Sequence, residues 1–551
     1  MLQLHGVQHV FGLCGDTSLP FYDALYRLDH GMKHILCRDE RSAAYMADGY
    51  ARVTGKVGVC EGPSGGGATY ILPGLVEANE SSVPVLAITS DIPVRSRGRY
   101  PLTELDQKAL YRPLTKWNTV IDLAEQIPQA FRQAFRAMTT GRPGSAHLGL
   151  PYDIQKQTLS GDLVWAQPEH GRFPAWRSGP DPVDVERAAD VVLSAKRPVL
   201  IAGGGVVLAG AMAELARFAK RLDAPVCTTV SGVGALPGNH PLLVGVVGTN
   251  GGTPPTQAVV QQADLVVFIG ARAGSTTTEH WTCPGMDVKI VHIDADPMVI
   301  SANYRTEAAL VGDARLALSA LCEAIDARLG DDTRSGVGGR VAEAARAARR
   351  AQFATFSGSG EQPVRPERLL RELNAVLPAD SVVVADPGTP CPYVSGYYEF
   401  LEAGRHFITN RAHGALGYSL AAAAGASFGR PNAKCVSIMG DGSFGFTVGE
   451  LETVARLKIP LLMIVMSNGS FGWIKSSQKF GYSERYFSVD FSRTDHAAIA
   501  RDYGIAAQTV SDPDDLGAAF RRAMDHDGPM LIDVITQPLE DSAVPVSAWM
   551  G

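Results

Sequence analysis

The sequence predicts an α/β protein of three domains, each a mostly parallel sheet covered by helices. Three observations carry this. Short apolar runs alternate with helix-period segments along the chain, the pattern of strands buried on both faces. The length of 551 residues corresponds to about three or four domains. Two Pro/Gly-rich stretches, 166–184 and 330–366, the second with a short Ala/Arg helix inside it, divide the chain into blocks of similar size. The domains are accordingly placed at 1–165, 183–328 and 362–540, with a tail at 541–551.

In the first block, 34–37, 57–60 and 84–89 read as strands and 39–54 as a helix. In the second, 198–202, 265–269 and 288–293 are apolar strands. In the third, 381–385, 433–439 and 460–467 are continuous apolar runs, with a helix over 448–457. Blocks one and three share a strand–Gly-loop–helix–strand plan, which predicts similar domains.

Hydrophobic residues at 45% and charged residues at 19% are ordinary for large globular cores. A net charge of -7, without a basic stripe or polybasic tail, argues against nucleic-acid or anionic-membrane partners. No run approaches the ~18 apolar residues of a membrane span. The first twelve residues lack the basic start and apolar core of a signal peptide. The eight cysteines (14, 37, 60, 227, 283, 322, 391 and 435) include no C-x-x-C and no His/Cys cluster, so they read as thiols of a reducing compartment. A soluble, cytoplasmic protein is expected.

The most informative stretch is Met439-Gly440-Asp441-Gly442-Ser443, followed by a helix, a second buried strand and then Asn468-Gly469. Gly-Asp-Gly alone is usually a turn. Here Asp441 follows one strand and Asn468 the next. Adjacent parallel strands lie ~4.8 Å apart, so both side chains reach the same rim of the sheet, where open α/β sheets bind ligands. Gly440 and Gly442 let backbone approach a phosphate, and the next helix offers N–H groups. A carboxylate, an amide oxygen and a carbonyl suit Mg²⁺, completed by phosphate and water.

This combination resembles the diphosphate–magnesium motif of thiamine-diphosphate (ThDP) enzymes. Elsewhere the chain is similar to their acetolactate synthase-like branch. Arg38-Asp39-Glu40 opens a similar Glu-containing helix; Pro63-Ser64-Gly65-Gly66-Gly67-Ala68-Thr69 resembles the branch's Ser-Gly-Pro-Gly-Ala-Thr-Asn loop; Gly270-Ala271-Arg272, Ile293-Asp294 and Gly414-Ala415-Leu416-Gly417 also fit. The likeness covers the whole chain and begins within the family's first helix, so a longer amino terminus is expected.

The resemblance implies the ThDP fold, with a pyrimidine-binding, a middle and a diphosphate-binding domain, and the cofactors ThDP and Mg²⁺. Glu40 then matches the glutamate that hydrogen-bonds the pyrimidine ring and activates C2. Leu416 matches the apolar prop beneath the bent cofactor, and Gly414 the carbonyl that receives the pyrimidine amine. Ser443 would bond phosphate, and Ser470 would offer its backbone carbonyl to Mg²⁺ beside Asp441 and Asn468. Because Glu40 and Asp441 lie in different blocks, the family arrangement implies a homodimer, or a dimer of dimers, with each cofactor bridging two chains; the Ala/Gly face of the 43–51 helix is expected at that interface. In the middle block Gly203 and Gly205 begin a dinucleotide fingerprint, but Leu208 stands at its third glycine, so a structural turn is the better reading. FAD, ADP or no nucleotide stays open there, since Ala273-Gly274-Ser275-Thr276 departs from the family pattern.

The reaction implied is a carbon–carbon lyase or carboligase step on a 2-oxo acid or 2-hydroxy carbonyl compound. Several substrate positions depart from true acetolactate synthases, notably Leu102-Thr103-Glu104-Leu105-Asp106, Ser90-Asp91-Ile92-Pro93 and 471–478. The alternatives are a 2-oxoacid decarboxylase, a 2-hydroxyacyl-CoA lyase, or a non-catalytic regulatory relative. Asp16, in Gly15-Asp16-Thr17-Ser18, resembles the proton-moving aspartate of pyruvate and indolepyruvate decarboxylases; it equally suits a helix cap.

Overall fold

Apolar runs with no polar alternation can hide only between two layers, and the chain satisfies them by building parallel sheets with helices on both faces. This is seen in a computed structural model that describes residues 1–330 and 336–542. The first sheet holds His9–Gly12 (β1), Lys33–Leu36 (β2), Gly58–Gly62 (β3), Val85–Asp91 (β4), Trp117–Val120 (β5) and Ala146–Pro151 (β6). The middle sheet holds Pro198–Ala202 (β7), Val226–Thr228 (β8), Leu243–Val246 (β9), Leu265–Ile269 (β10), Lys289–Asp294 (β11) and Ala308–Val311 (β12). The third holds Val382–Ala385 (β13), Phe407–Thr409 (β14), Cys435–Gly440 (β15), Leu461–Ser467 (β16), Ala506–Val510 (β17) and Met530–Ile535 (β18).

All pairings within these sheets are parallel. The first sheet runs β2-β1-β3-β4-β6-β5 and the third β14-β13-β15-β16-β18-β17. Numbered from their own first strands, both read 2-1-3-4-6-5, so the similarity expected of blocks one and three extends to topology. The middle sheet, read from β9, runs 3-2-1-4-5-6, the order of doubly wound dinucleotide-binding folds.

Three expectations need correction. The stretch 330–366 holds a long helix, Val337–Ser357, rather than a short one within a linker. Its two early glycines serve packing: a Cβ on Gly338 would stand 1.7 Å from the Asp223 carbonyl oxygen, and the Asp223 carboxylate accepts the N–H groups of Gly338 and Gly339. Secondly, the Ala/Gly face of helix Glu40–Thr54 is used inside the chain. Helix Ser419–Gly429, with Ala421 to Ala424 in a row, lies against it so closely that a Cβ on Gly49 would sit 2.1 Å from the Ala422 carbonyl oxygen, and one on Gly425 2.0 Å from that of Met46. That face is therefore no subunit interface; it joins the first domain to the third. The helix expected over 448–457 is a 3₁₀ turn, Val448–Glu450, leading into Leu451–Arg456. Most of the expected tail, 541–551, lies outside the described residues. No described helix is long and apolar enough to cross a membrane.

Candidate functional site

β15 and β16 pair in register, Gly440 beside Met466, so the residues just past them meet at one rim. Asp441 Oδ2 accepts the backbone N–H groups of Asn468 (2.8 Å) and Gly469 (2.7 Å), and Oδ1 accepts that of Gly442 (2.8 Å). Burial pushes the Asp441 carboxyl up from its ordinary range, and these three donors pull it back. Asn468 Oδ1 accepts both the N–H (3.1 Å) and the hydroxyl (3.2 Å) of Ser470, so a cation on that oxygen would displace the hydroxyl.

These residues line a cavity of about 300 Å³ with Pro387–Pro390, Arg411, Gly414, Leu416, Ser443 and Phe471–Ile474. A Cβ built on Gly388, Gly414 or Gly440 would meet nothing within 4 Å, so the glycines face open space that a ligand can fill. One carboxylate, an amide oxygen and glycine-lined backbone fit a divalent cation carrying a diphosphate. Among the described residues no group of three or more His, Cys, Asp or Glu could hold a metal, so Asp441 would be the cation's acidic ligand. Ser443 lines this cavity with its hydroxyl engaged within the chain. Its hydroxyl donates to Asp386 Oδ2 (2.7 Å) and accepts the Gly417 N–H (2.7 Å), leaving no hydroxyl proton for a phosphate.

Asp386 escaped the reading of the sequence, although it follows an apolar strand just as Asp441 does. It is fully buried and takes four donors: the N–H groups of Tyr418 and Ser419 and the hydroxyls of Ser419 and Ser443. Burial lifts its carboxyl to about 6 against those bonds. It ties the loops after β13, β14 and β15 into one frame. Arg411, also missed, brings to the cavity wall a guanidinium whose Nε is buried without a partner.

Glu40 is the first residue of helix Glu40–Thr54, whose N-cap Asp39 accepts the Arg41 N–H at 2.7 Å. Its side chain is buried; burial foremost, then the charges of Asp39 and Glu61, push its carboxyl up. Asp16 sits in a 3₁₀ turn, Asp16–Ser18, with its side chain exposed. It caps nothing: Ser18 bonds the Gly15 backbone instead, and helix Leu19–Arg27 has no side-chain cap. Nearby, Ser64 Oγ bonds Thr17 Oγ1 (3.0 Å) and Thr103 Oγ1 (2.7 Å), bringing the 102–106 segment to the same rim. The cavity around Asp441 is lined only from the third domain; neither Glu40 nor Asp16 reaches it.

A buried charge network links the two regions. Arg52 bonds Asp48 (2.8 Å), Glu77 (3.0 Å) and the Thr409 carbonyl (3.3 Å), Tyr418 donates to Asp48, and Glu77 accepts the N–H groups of Ala412 and His413. The helix that begins at Glu40 thereby holds the loop that carries Gly414 and Leu416.

In the middle domain a second cavity of about 310 Å³ lies where the strand order reverses, lined by Gly204, Gly205, Gly270–Arg272, Asp294 and Arg411 among others. Gly203 and Gly205 are needed for packing, since Cβ atoms there would stand 2.1 Å from the Gly270 carbonyl oxygen and 2.6 Å from its Cα. That agrees with the structural reading of those glycines.

Comparison with known proteins follows the same three-part division. Residues 1–110 match the thiamine pyrophosphate enzyme N-terminal TPP binding domain, 185–321 the central domain and 386–534 the C-terminal TPP binding domain. The probable acetolactate synthase large subunit of Methanococcus aeolicus is 33% identical, over 98% of this chain and 91% of that one. The acetolactate synthase isozyme 2 large subunit of Escherichia coli (strain K12) is 33% identical over 98% and 95%. The acetolactate synthase of Arthrospira platensis is 32% identical over 98% and 93%.

Proposed function

The chain belongs to the thiamine pyrophosphate enzyme family as an acetolactate synthase-like, ThDP-dependent enzyme, and from that premise we propose that it is a Mg²⁺-dependent carbon–carbon lyase or carboligase acting on a 2-oxo acid. The observation that carries this reading is the rim cavity, where Asp441, Asn468 and three cavity-facing glycines meet. Bound ThDP supplies an electron sink for the bond broken or formed beside a carbonyl. Asp441 and Asn468 would hold the cation, the 440–443 backbone would receive the diphosphate, and Leu416 would pack against the cofactor. Ser443 contributes by fixing this frame through Asp386. Glu40, in its buried position, holds a proton for the pyrimidine ring.

Because the Asp441 cavity takes nothing from the first domain, we read the active unit as a dimer in which Glu40 and Asp16 of one chain complete the cavity of the other. Large apolar side chains left exposed beside both half-sites support this: Leu19, Tyr70, Tyr100 and Leu102 in the first domain, Ile474, Phe480, Tyr482 and Phe487 in the third. FAD, ADP or no nucleotide stays open for the middle cavity: flavin absorbance of the purified protein identifies FAD, release of adenine nucleotide without flavin identifies ADP, and neither identifies an empty site. The reaction is tested by supplying protein, ThDP and Mg²⁺ with pyruvate, benzoylformate or 2-hydroxyacyl-CoA esters. Acetolactate from pyruvate is the expected product. Free aldehyde alone would make the protein a decarboxylase, acyl-CoA cleavage a 2-hydroxyacyl-CoA lyase, and no turnover of any would remove the reading.

A further inference from the structure

Glu61 stands next to last in β3, directly beside Gly12 of β1, where the first sheet reverses its strand order. A Cβ on Gly12 would lie 2.1 Å from Glu61 Oε1, so the glycine makes room for this carboxylate. The side chain is 2% exposed. It accepts the Tyr22 hydroxyl and the Leu13 backbone N–H, and lies 3.3 Å from His34 Nε2; Tyr22 Oη and His34 Nε2 are 2.9 Å apart. The His34 side chain remains 18% exposed, so the cluster runs from a buried carboxylate to solvent. A glutamate in a fully buried strand is costly unless it is bonded, and packing alone would favour an apolar residue between Cys60 and Gly62.

The chain immediately after Glu61 is the wall against which Glu40 rests. A Cβ on Gly62 would lie 3.3 Å from Glu40 Cγ, and one on Gly67 2.9 Å from Glu40 Oε1. The loop after β1 interlocks with the same wall through Thr17 and Ser64. We propose that Glu61 is a positioning residue for Glu40: anchored by Tyr22, His34 and Leu13, it fixes the 61–67 wall and places a second carboxylate behind the first. This rests on the reading of Glu40 as the cofactor's activator.

The charged groups facing Glu40 are Asp39 and Glu61, and Glu61 pushes its carboxyl up. Those facing Glu61 are Tyr22 from its helix and His34 from β2, with the thiols of Cys37 and Cys60 near by and Glu450 beyond Cys37. Burial pushes Glu61 up, while His34, Tyr22 and Leu13 favour its ionised form. Removing its charge therefore lowers the proton affinity of Glu40.

The experiment follows deuterium exchange at C2 of ThDP bound to the Mg²⁺ holoenzyme as a function of pH, with ThDP affinity and melting temperature measured alongside. Glu61→Gln should bind ThDP within about threefold of wild type, while the exchange transition moves to lower pH by ~0.5–1 unit, the effect of one like charge removed several ångströms away. Tyr22→Phe, which keeps the shape but weakens ionisation of Glu61, should move the transition the same way by less; it serves if Glu61→Gln fails to fold. Glu40→Gln should abolish the transition. An unmoved transition in Glu61→Gln or, should that fail to fold, in Tyr22→Phe overturns the proposal while Glu40 keeps its role. A transition that survives in Glu40→Gln overturns both.

Discussion

Replacing Asp441 by asparagine changes one oxygen to an NH₂ and almost nothing in shape, so it isolates what the carboxylate does. Three backbone N–H groups converge on it, at 2.7–2.8 Å. Asparagine keeps a single acceptor oxygen. Whichever way the amide turns, its NH₂ faces either the Gly442 donor or the pair from Asn468 and Gly469. At least one bond to a charged acceptor is lost, worth about 1.5–3 kcal/mol, and a partly buried donor is left unpaired at about 1–3 kcal/mol. The sum, about 2.5–6 kcal/mol, corresponds to ~10²–10⁴ in the equilibrium that orders the rim loop, before counting the lost charge toward Mg²⁺. The ThDP dissociation constant at saturating Mg²⁺, measured by calorimetry, should rise ~10²-fold or more. The melting temperature of the protein without cofactor should fall by only a few degrees, because the bonds belong to one rim loop. Affinity within threefold of wild type would show that Asp441 neither organises the loop nor holds the cation.

Further expectations follow from other contacts. Mixing Glu40→Gln with Asp441→Ala subunits should restore activity if sites are shared between chains, whereas failure despite demonstrated subunit exchange would place each site within one chain. Asp386, raised to about 6 in the fold from an ordinary 3.8, favours the folded state most when protonated. Its contribution is full below about pH 4 and is lost as pH rises through about 6, so the fall in cofactor-free melting temperature over that window should be smaller in Asp386→Asn; an equal fall would mean that Asp386 does not titrate there. Gly49→Ala drives a Cβ to 2.1 Å from the Ala422 carbonyl oxygen, which is backbone and cannot swing away, so a loss of ~3 kcal/mol or more is expected by thermal melting. An unchanged melt would refute the close packing of those helices. Asp16 caps no helix, so Asp16→Asn should leave melting and ThDP affinity unchanged; a proton-transfer role would cost ~10²-fold in turnover, and full turnover would retire that role.

Residue pattern was enough for the three-domain α/β fold, because strands buried on both faces must be uninterrupted apolar runs, and the runs ending before Asp386, Asp441 and Asn468 show little else. It also brought Asp441 and Asn468 together, since parallel neighbours carry their carboxyl ends to one rim whatever the rest of the chain does. Tertiary structure decided what depends on contacts distant in sequence. The glycines of helix Glu40–Thr54 announce a close neighbour but not which one, and only packing shows it to be Ser419–Gly429 of the same chain rather than a second subunit. The Ser443 hydroxyl reads as a donor for phosphate until Asp386, 57 residues away, accepts its hydrogen bond. Glu61 looks like an anomaly in an apolar strand until Tyr22, His34 and Gly12 close around it. A side chain's donors, acceptors and neighbouring charges are set by what the fold brings within hydrogen-bond reach. Local spacing carries no record of them.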